Sequence, residues 1–105
     1  MFEVKKNKEQ YHFVLKASNG QVILSSEMYN TKAACHNGVE SVKKNSTEES
    51  RYERKTAKNG KFHFNLKASN GQIVGSSQMY ASESGMNNGI ESVMKNAPSA
   101  EVIEI

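Results

Sequence analysis

The chain of 105 residues has no tryptophan, one proline and one cysteine, and it contains no long apolar run. Each absence excludes something. Cys35 has no partner for an internal disulfide, as expected in a reducing cytoplasm. A membrane-spanning helix needs roughly 18 consecutive apolar residues, and nothing here approaches that. The opening Met1-Phe2-Glu3-Val4-Lys5-Lys6 lacks the apolar stretch of a signal peptide. The expectation is a soluble protein that stays in the cytoplasm. Runs of one charge sign are also missing. Fourteen Lys and Arg against eleven Asp and Glu leave a formal charge of +3, spread over both halves. Such an excess favours encounter with anionic partners without specifying an activity.

What the chain does have is a repeat. Tyr11–Asn45 aligns with Phe62–Asn96 at a constant offset of 51, and 20 of the 35 positions are identical. The identities include Leu15-Lys16-Ala17-Ser18-Asn19-Gly20-Gln21 against Leu66-Lys67-Ala68-Ser69-Asn70-Gly71-Gln72. Phe2-Glu3 matches Tyr52-Glu53 at an offset of 50, so the connection at Lys58–Lys61 carries one extra residue. Two independent fifty-residue domains would each be marginal. One domain over 1–105, with repeats at about 1–50 and 51–105 sharing a core, is the expected organisation.

Each unit reads alike. Tyr11, Phe13, Leu15 and Ala17 alternate with His12, Val14 and Lys16, the period of a strand with one apolar face. Phe62, Phe64, Leu66 and Ala68 repeat the pattern. Asn-Gly follows in both copies and predicts a two-residue type I′ hairpin turn. That register sets Ala17 opposite Val22, Leu15 opposite Leu24 and His12 opposite Glu27. The core patches would be Leu15, Ala17, Val22 and Leu24, then Leu66, Ala68 and Ile73, with Gly75 leaving a gap for something bulky. Asn30, Thr31 and Ser82 suit helix N-caps, and helices are expected to run to about Lys44 and Lys95. Cys35, Val39 and Val42, like Met86, Ile90 and Val93, give each helix a narrow apolar stripe. Gly38 and Gly89 sit beside these stripes, where glycine costs about 1 kcal/mol relative to alanine, which suggests close approach to the sheet. Asn45 and Asn96 suit the helix ends, and Pro98 prevents continuation. Phe2–Lys6, Arg51–Thr56 and Glu101–Ile105 can each add a strand, the middle one ending the first unit and beginning the second. Helices on one face of an antiparallel sheet make an α+β domain.

Phe13-Val14-Leu15-Lys16-Ala17, Asn19-Gly20, Ser25-Ser26-Glu27-Met28-Tyr29 and Gly38-Val39-Glu40-Ser41-Val42, with their echoes, resemble the YegP-like family of small bacterial proteins of unknown function. The stretch from Arg51-Tyr52-Glu53-Arg54-Lys55-Thr56-Ala57 through Met79-Tyr80 is similar to its duplicated members. The resemblance implies two β3-α-β units in one continuous sheet with closing strands exchanged between them. It also implies that single-copy relatives pair as dimers, whereas a tandem chain does so internally and is a monomer. It implies no catalytic residue.

The candidate chemistry is sparse. His12 facing Glu27 could be a general base oriented by a carboxylate, or one half of a cross-strand polar pair; His63 faces Gln78, which cannot repeat the role. Cys35-His36 could suggest a metal site or a reactive thiol, but adjacent helix positions diverge by about 100° and cannot readily share a metal, so Cys35 reads as core. Ser25-Ser26 and Ser76-Ser77 could bind a ligand or satisfy backbone groups. Arg51, Arg54, Lys55, Lys58 and Lys61 could contact a polyanion such as nucleic acid, or guard an edge strand. Val14, Ile23 and Val74, with Lys16 and Lys67 beside them, are expected on the face opposite the helices, where clustered apolar residues mark a partner surface. The resulting expectation is a non-catalytic interaction module using that face for a protein partner, with polyanion binding as the alternative. No residue is assigned as catalytic, metal-ligating or cofactor-binding, and no membrane partner is expected.

Overall fold

The computed structural model describes residues 1–105. Its elements in chain order are β1 (Phe2–Asn7), β2 (Gln10–Lys16), β3 (Val22–Ser25), α1 (Lys32–Asn45), β4 (Tyr52–Thr56), β5 (Phe62–Lys67), β6 (Ile73–Ser76), α2 (Glu83–Asn96) and β7 (Val102–Glu104). The seven strands form one sheet in the order β4-β5-β6-β3-β2-β1-β7. Each half contributes a three-stranded meander, and the halves meet at a single bridge, Ser25 opposite Ser76. That bridge lies on the pseudo-two-fold axis of the molecule.

The helices start where the caps predict. Thr31 Oγ1 accepts from the Ala34 N–H and Ser82 Oγ from the Gly85 N–H, each at 3.0 Å. Their apolar stripes share one buried cluster with Phe2, Phe13, Leu15, Leu24, Tyr52, Phe64 and Leu66, so a single core serves both halves. Gly38 and Gly89 are explained by aromatic rings rather than by the sheet itself. A Cβ at Gly38 would fall on the Tyr29 hydroxyl, and one at Gly89 on that of Tyr80. These rings stack on Phe13 and Phe64 at 6.3 and 6.4 Å, wedged between helix and strand. The gap at Gly75 is filled by Leu24 of the other half, whose side chain lies 2.7 Å from where a Cβ would stand.

A closing strand does cross between the halves, with two refinements. From α1 the chain passes to β4 at the far edge of the second half, and from α2 it passes to β7 at the far edge of the first. The Arg51–Thr56 segment is thus the first strand of the second half alone, since β4 pairs only with β5. From β4 to β1 every neighbouring pair is antiparallel, but β7 runs parallel to β1. The place beside β2 is already held by β1, so the chain arriving from α2 adds outside it in the same direction.

The hairpin register also differs from expectation. The Gly20 N–H donates to Ala17 O and the Ala17 N–H to Gln21 O, both at 2.9 Å. Only Gly20 has a positive φ, +84°. This is a three-residue loop ending in a left-handed glycine, and it pairs Lys16 with Val22. A β-bulge at Ile23 then restores Leu15 opposite Leu24. The two shifts cancel, and the second copy repeats both, with Lys67 opposite Ile73 and Leu66 opposite Gly75.

Candidate functional site at the open sheet face

The bulges decide which side chains the helix-free face presents. Val22 and Ile73, expected in the core, are 36% and 42% exposed. Ile23 and Val74, expected on the open face, are 5% and 8% exposed and belong to the same cluster as Phe13 and Leu15, while buried Val14 stands outside it. The extra residue of each bulge has turned the chain, so Ile23 and Val74 are core residues and cannot form a contact surface.

The lysines of the expected surface are not free either. Lys16 Nζ lies 3.0 Å from Glu3 on β1, and Lys67 Nζ donates to Glu53 on β4 at 2.9 Å. Lys5 and Lys55 approach the same carboxylates at 3.7 Å. The hydrogen bond from Lys16 holds the Glu3 carboxyl below the usual range, and that from Lys67, aided by Asn65, does the same for Glu53. In the second half the network continues: Ser76 Oγ donates to Asn65 Oδ1 at 2.7 Å, and Asn65 Nδ2 to Glu53 at 3.2 Å. Val14 replaces Asn65 in the first half and breaks that chain.

Between the halves lies a cleft of about 430 Å³ lined by Val22, Ser25 and Glu27, their counterparts Ile73, Ser76 and Gln78, and neighbouring small residues. Met28 and Met79, directly after Glu27 and Gln78, are also exposed. Ser26 and Ser77 have a local task. Each hydroxyl accepts from a strand N–H, of Phe13 or Phe64, and donates to the next residue's carbonyl. Neither histidine forms a hydrogen bond or ion pair with the residue expected across from it, Glu27 for His12 and Gln78 for His63. His12 pairs with Lys5 and His63 with Lys55, and Nδ1 of each is buried without a hydrogen-bond partner. Cys35 is fully buried in the core, and burial raises its thiol pKa. His36 instead contacts Glu104 on β7 at 3.2 Å.

The basic segment is largely matched by acids. Arg51 lies 2.9 Å from Glu48, Arg54 lies 3.3 Å from Glu49, and Lys55 joins Glu53. Arg54 also donates from Nε to Asn87 on α2. Lys58 and Lys61 remain exposed in the turn before β5 without an ion pair.

The architecture defines a class: a tandemly duplicated α+β domain in which two β-meander–helix halves share one sheet and one core. The model of a domain of unknown function, DUF1508, matches the chain twice, at residues 6–53 and 57–104, and the chain belongs to this YegP-like family. A protein of Stutzerimonas stutzeri, named for its place in the 5′ region of the ptx operon, is 55% identical over 99% of this chain and 95% of its own length. YegP of Escherichia coli is 54% identical over 96% of this chain and 93% of its own. The solution NMR structure of a relative from Shewanella oneidensis superposes with a TM-score of 0.93 at 50% identity, covering 98% of this chain and 88% of that one. That of YegP from Escherichia coli, described as a protein of unknown function, gives 0.92 at 53%, covering 98% and 90%.

Proposed function

We propose that the chain is a non-catalytic interaction module of the cytoplasm whose protein-contact surface is the open sheet face around the β3–β6 seam. The carrying observation is the arrangement of exposed apolar side chains. Val22 and Ile73 flank the seam cleft in positions related by the pseudo-two-fold, and both are exposed. Lys16 and Lys67 on this face are matched by Glu3 and Glu53, whereas Val22 and Ile73 leave apolar surface at the seam available to a partner. A buried, unpaired Cys35 agrees with a reducing compartment. Polyanion binding is the weaker reading, because Glu48, Glu49 and Glu53 already hold Arg51, Arg54 and Lys55.

Capture from native lysate, with and without nuclease and read by mass spectrometry, tests this. A specific protein is expected with the wild-type chain in both arms and is lost with Val22→Glu/Ile73→Glu. Both sites are exposed, so the variant should keep its thermal midpoint. Retention of the same protein by the variant overturns the seam, and loss in the nuclease arm overturns the protein partner.

A further inference from the structure

The two outer edges of the sheet are equivalent by the repeat but differently occupied. At β1 the edge is covered by β7, with Val102 beside Phe2 and Glu104 beside Val4. The Phe2 N–H donates to Glu101 O at 2.7 Å and the Ile105 N–H to Val4 O at 2.9 Å. Val102 packs against the core, and Glu104 is held by Lys32 at 2.8 Å and His36 at 3.2 Å on α1. At β4, where Tyr52 and Arg54 stand for Phe2 and Val4, no strand lies outside. The Tyr52 N–H is satisfied by Glu49 O, but the outward backbone groups of Arg54 have no strand beside them. A cavity of about 540 Å³ opens between this edge and α2, lined by Ile90, Met94, Arg54, Asn87, Glu49 and Glu91.

We infer that the β4 edge, together with this cavity, accepts an extended segment of another protein as an eighth strand, parallel to β4, as β7 adds to β1. Main-chain pairing supplies affinity in such strand addition, and alternate side chains supply specificity. The residue beside Tyr52 would turn an aliphatic side chain toward Ile90 and Met94, as Val102 does on the other edge. The residue two further on would meet α2 where Glu104 meets α1. There the charges have changed: Lys32 and His36 are replaced by Glu83 and Asn87. Arg54 is already matched by Glu49 and Asn87, whereas Glu83 and Glu91 take part in no ion pair. The segment is therefore aliphatic at the first position and Lys or Arg at the third. A second copy's own β7 would bring Glu104 against Glu83, which disfavours this chain as its own partner. Arg54 and Lys55 keep the edge from pairing indiscriminately, while a complementary strand is admitted. This site lies outside the seam surface, so the two readings stand or fall separately.

The test uses the full chain, isotope-labelled for NMR, and two synthetic peptides of residues 99–105, one native and one carrying Glu104→Lys. The lysine peptide is expected to shift amide signals of Tyr52–Thr56 and of α2 near Glu83, and to bind about fivefold more tightly than the native peptide, the scale of one exposed charge pair. The preference should reverse in the Glu83→Lys variant, an exposed change that leaves the fold intact. Shifts at Phe2–Val4 instead of β4, or none at millimolar peptide, overturn the inference. Tighter binding of the native peptide overturns the basic segment and makes a second copy's C-terminal strand the occupant.

Discussion

The first and second halves of this chain repeat one design, and the places where they part are more informative than the places where they agree. Both have a three-residue glycine loop, a bulge three residues after that glycine and a tyrosine under a mid-helix glycine. They differ where they meet and at their outer edges. At the seam, leucine in one half answers glycine in the other. On the open face, valine answers asparagine. At the edges, a strand covers one half and leaves the other bare. A perfectly symmetric duplication could not do the first of these, because two leucines at 24 and 75 would claim the same space.

The largest expected effect probes that seam. Leu24 is fully buried and fills the place of the missing Gly75 side chain. Leu24→Ala should cost about 3 kcal/mol, the usual scale for a buried leucine, read from chemical denaturation at unchanged slope. Adding Gly75→Leu should recover much of the loss, because the leucine then enters the same space from the other half. A double variant no more stable than Leu24→Ala would show that the two halves are not interchangeable at their junction.

A smaller effect compares the two helices. Gly38→Ala and Gly89→Ala each gain helix propensity of about 1 kcal/mol but force a methyl onto a tyrosine hydroxyl. Overpacking of this kind costs about 1–3 kcal/mol, so each variant should be net destabilised by about 1 kcal/mol in thermal or denaturant unfolding. The two should be destabilised alike, since Tyr29 and Tyr80 take the same pose. A stabilised alanine variant at either site would mean that its tyrosine swings away freely.

Much of this fold is local and therefore legible in the residues. Thr31 and Ser82 cap as their hydroxyls allow, and the stripes of Cys35, Val39 and Val42 or Met86, Ile90 and Val93 turn inward as a 3.6-residue period requires. The site was less legible for a physical reason. Val22-Ile23-Leu24 and Ile73-Val74 are runs of apolar residues, so period two does not say which of them faces in. The Asn-Gly signal gave the position of the turn but not its length, and the bulge that corrects the register is imposed by packing Leu15 against Leu24. Nor could the strand pattern alone reveal that Lys16 and Lys67 are held by Glu3 and Glu53, since those contacts depend on how β1 and β4 register against β2 and β5. The parallel addition of β7 depends on which place is vacant in the finished sheet.

The smallest expected effect concerns those matched charges, and it distinguishes the halves again. Glu3 and Glu53 both have lowered pKa values, first through hydrogen bonds from Lys16 and Lys67, and Glu53 is further held by Asn65. A carboxyl whose pKa is depressed in the folded state binds fewer protons there than in the unfolded chain. Its contribution is therefore present above its ordinary value near 4.5 and is lost as pH falls below it. The thermal midpoint should fall on acidification below that value, and less steeply in Glu3→Gln/Glu53→Gln. Of the single variants, Glu53→Gln should flatten the acid limb more than Glu3→Gln, because Val14 offers Glu3 no amide where Asn65 serves Glu53. Val14→Asn places that amide between Glu3 and Ser25, the counterparts of Glu53 and Ser76. In that background Glu3→Gln should flatten the limb as much as Glu53→Gln does. Failure to do so would show that the difference between the halves lies elsewhere than in this one side chain.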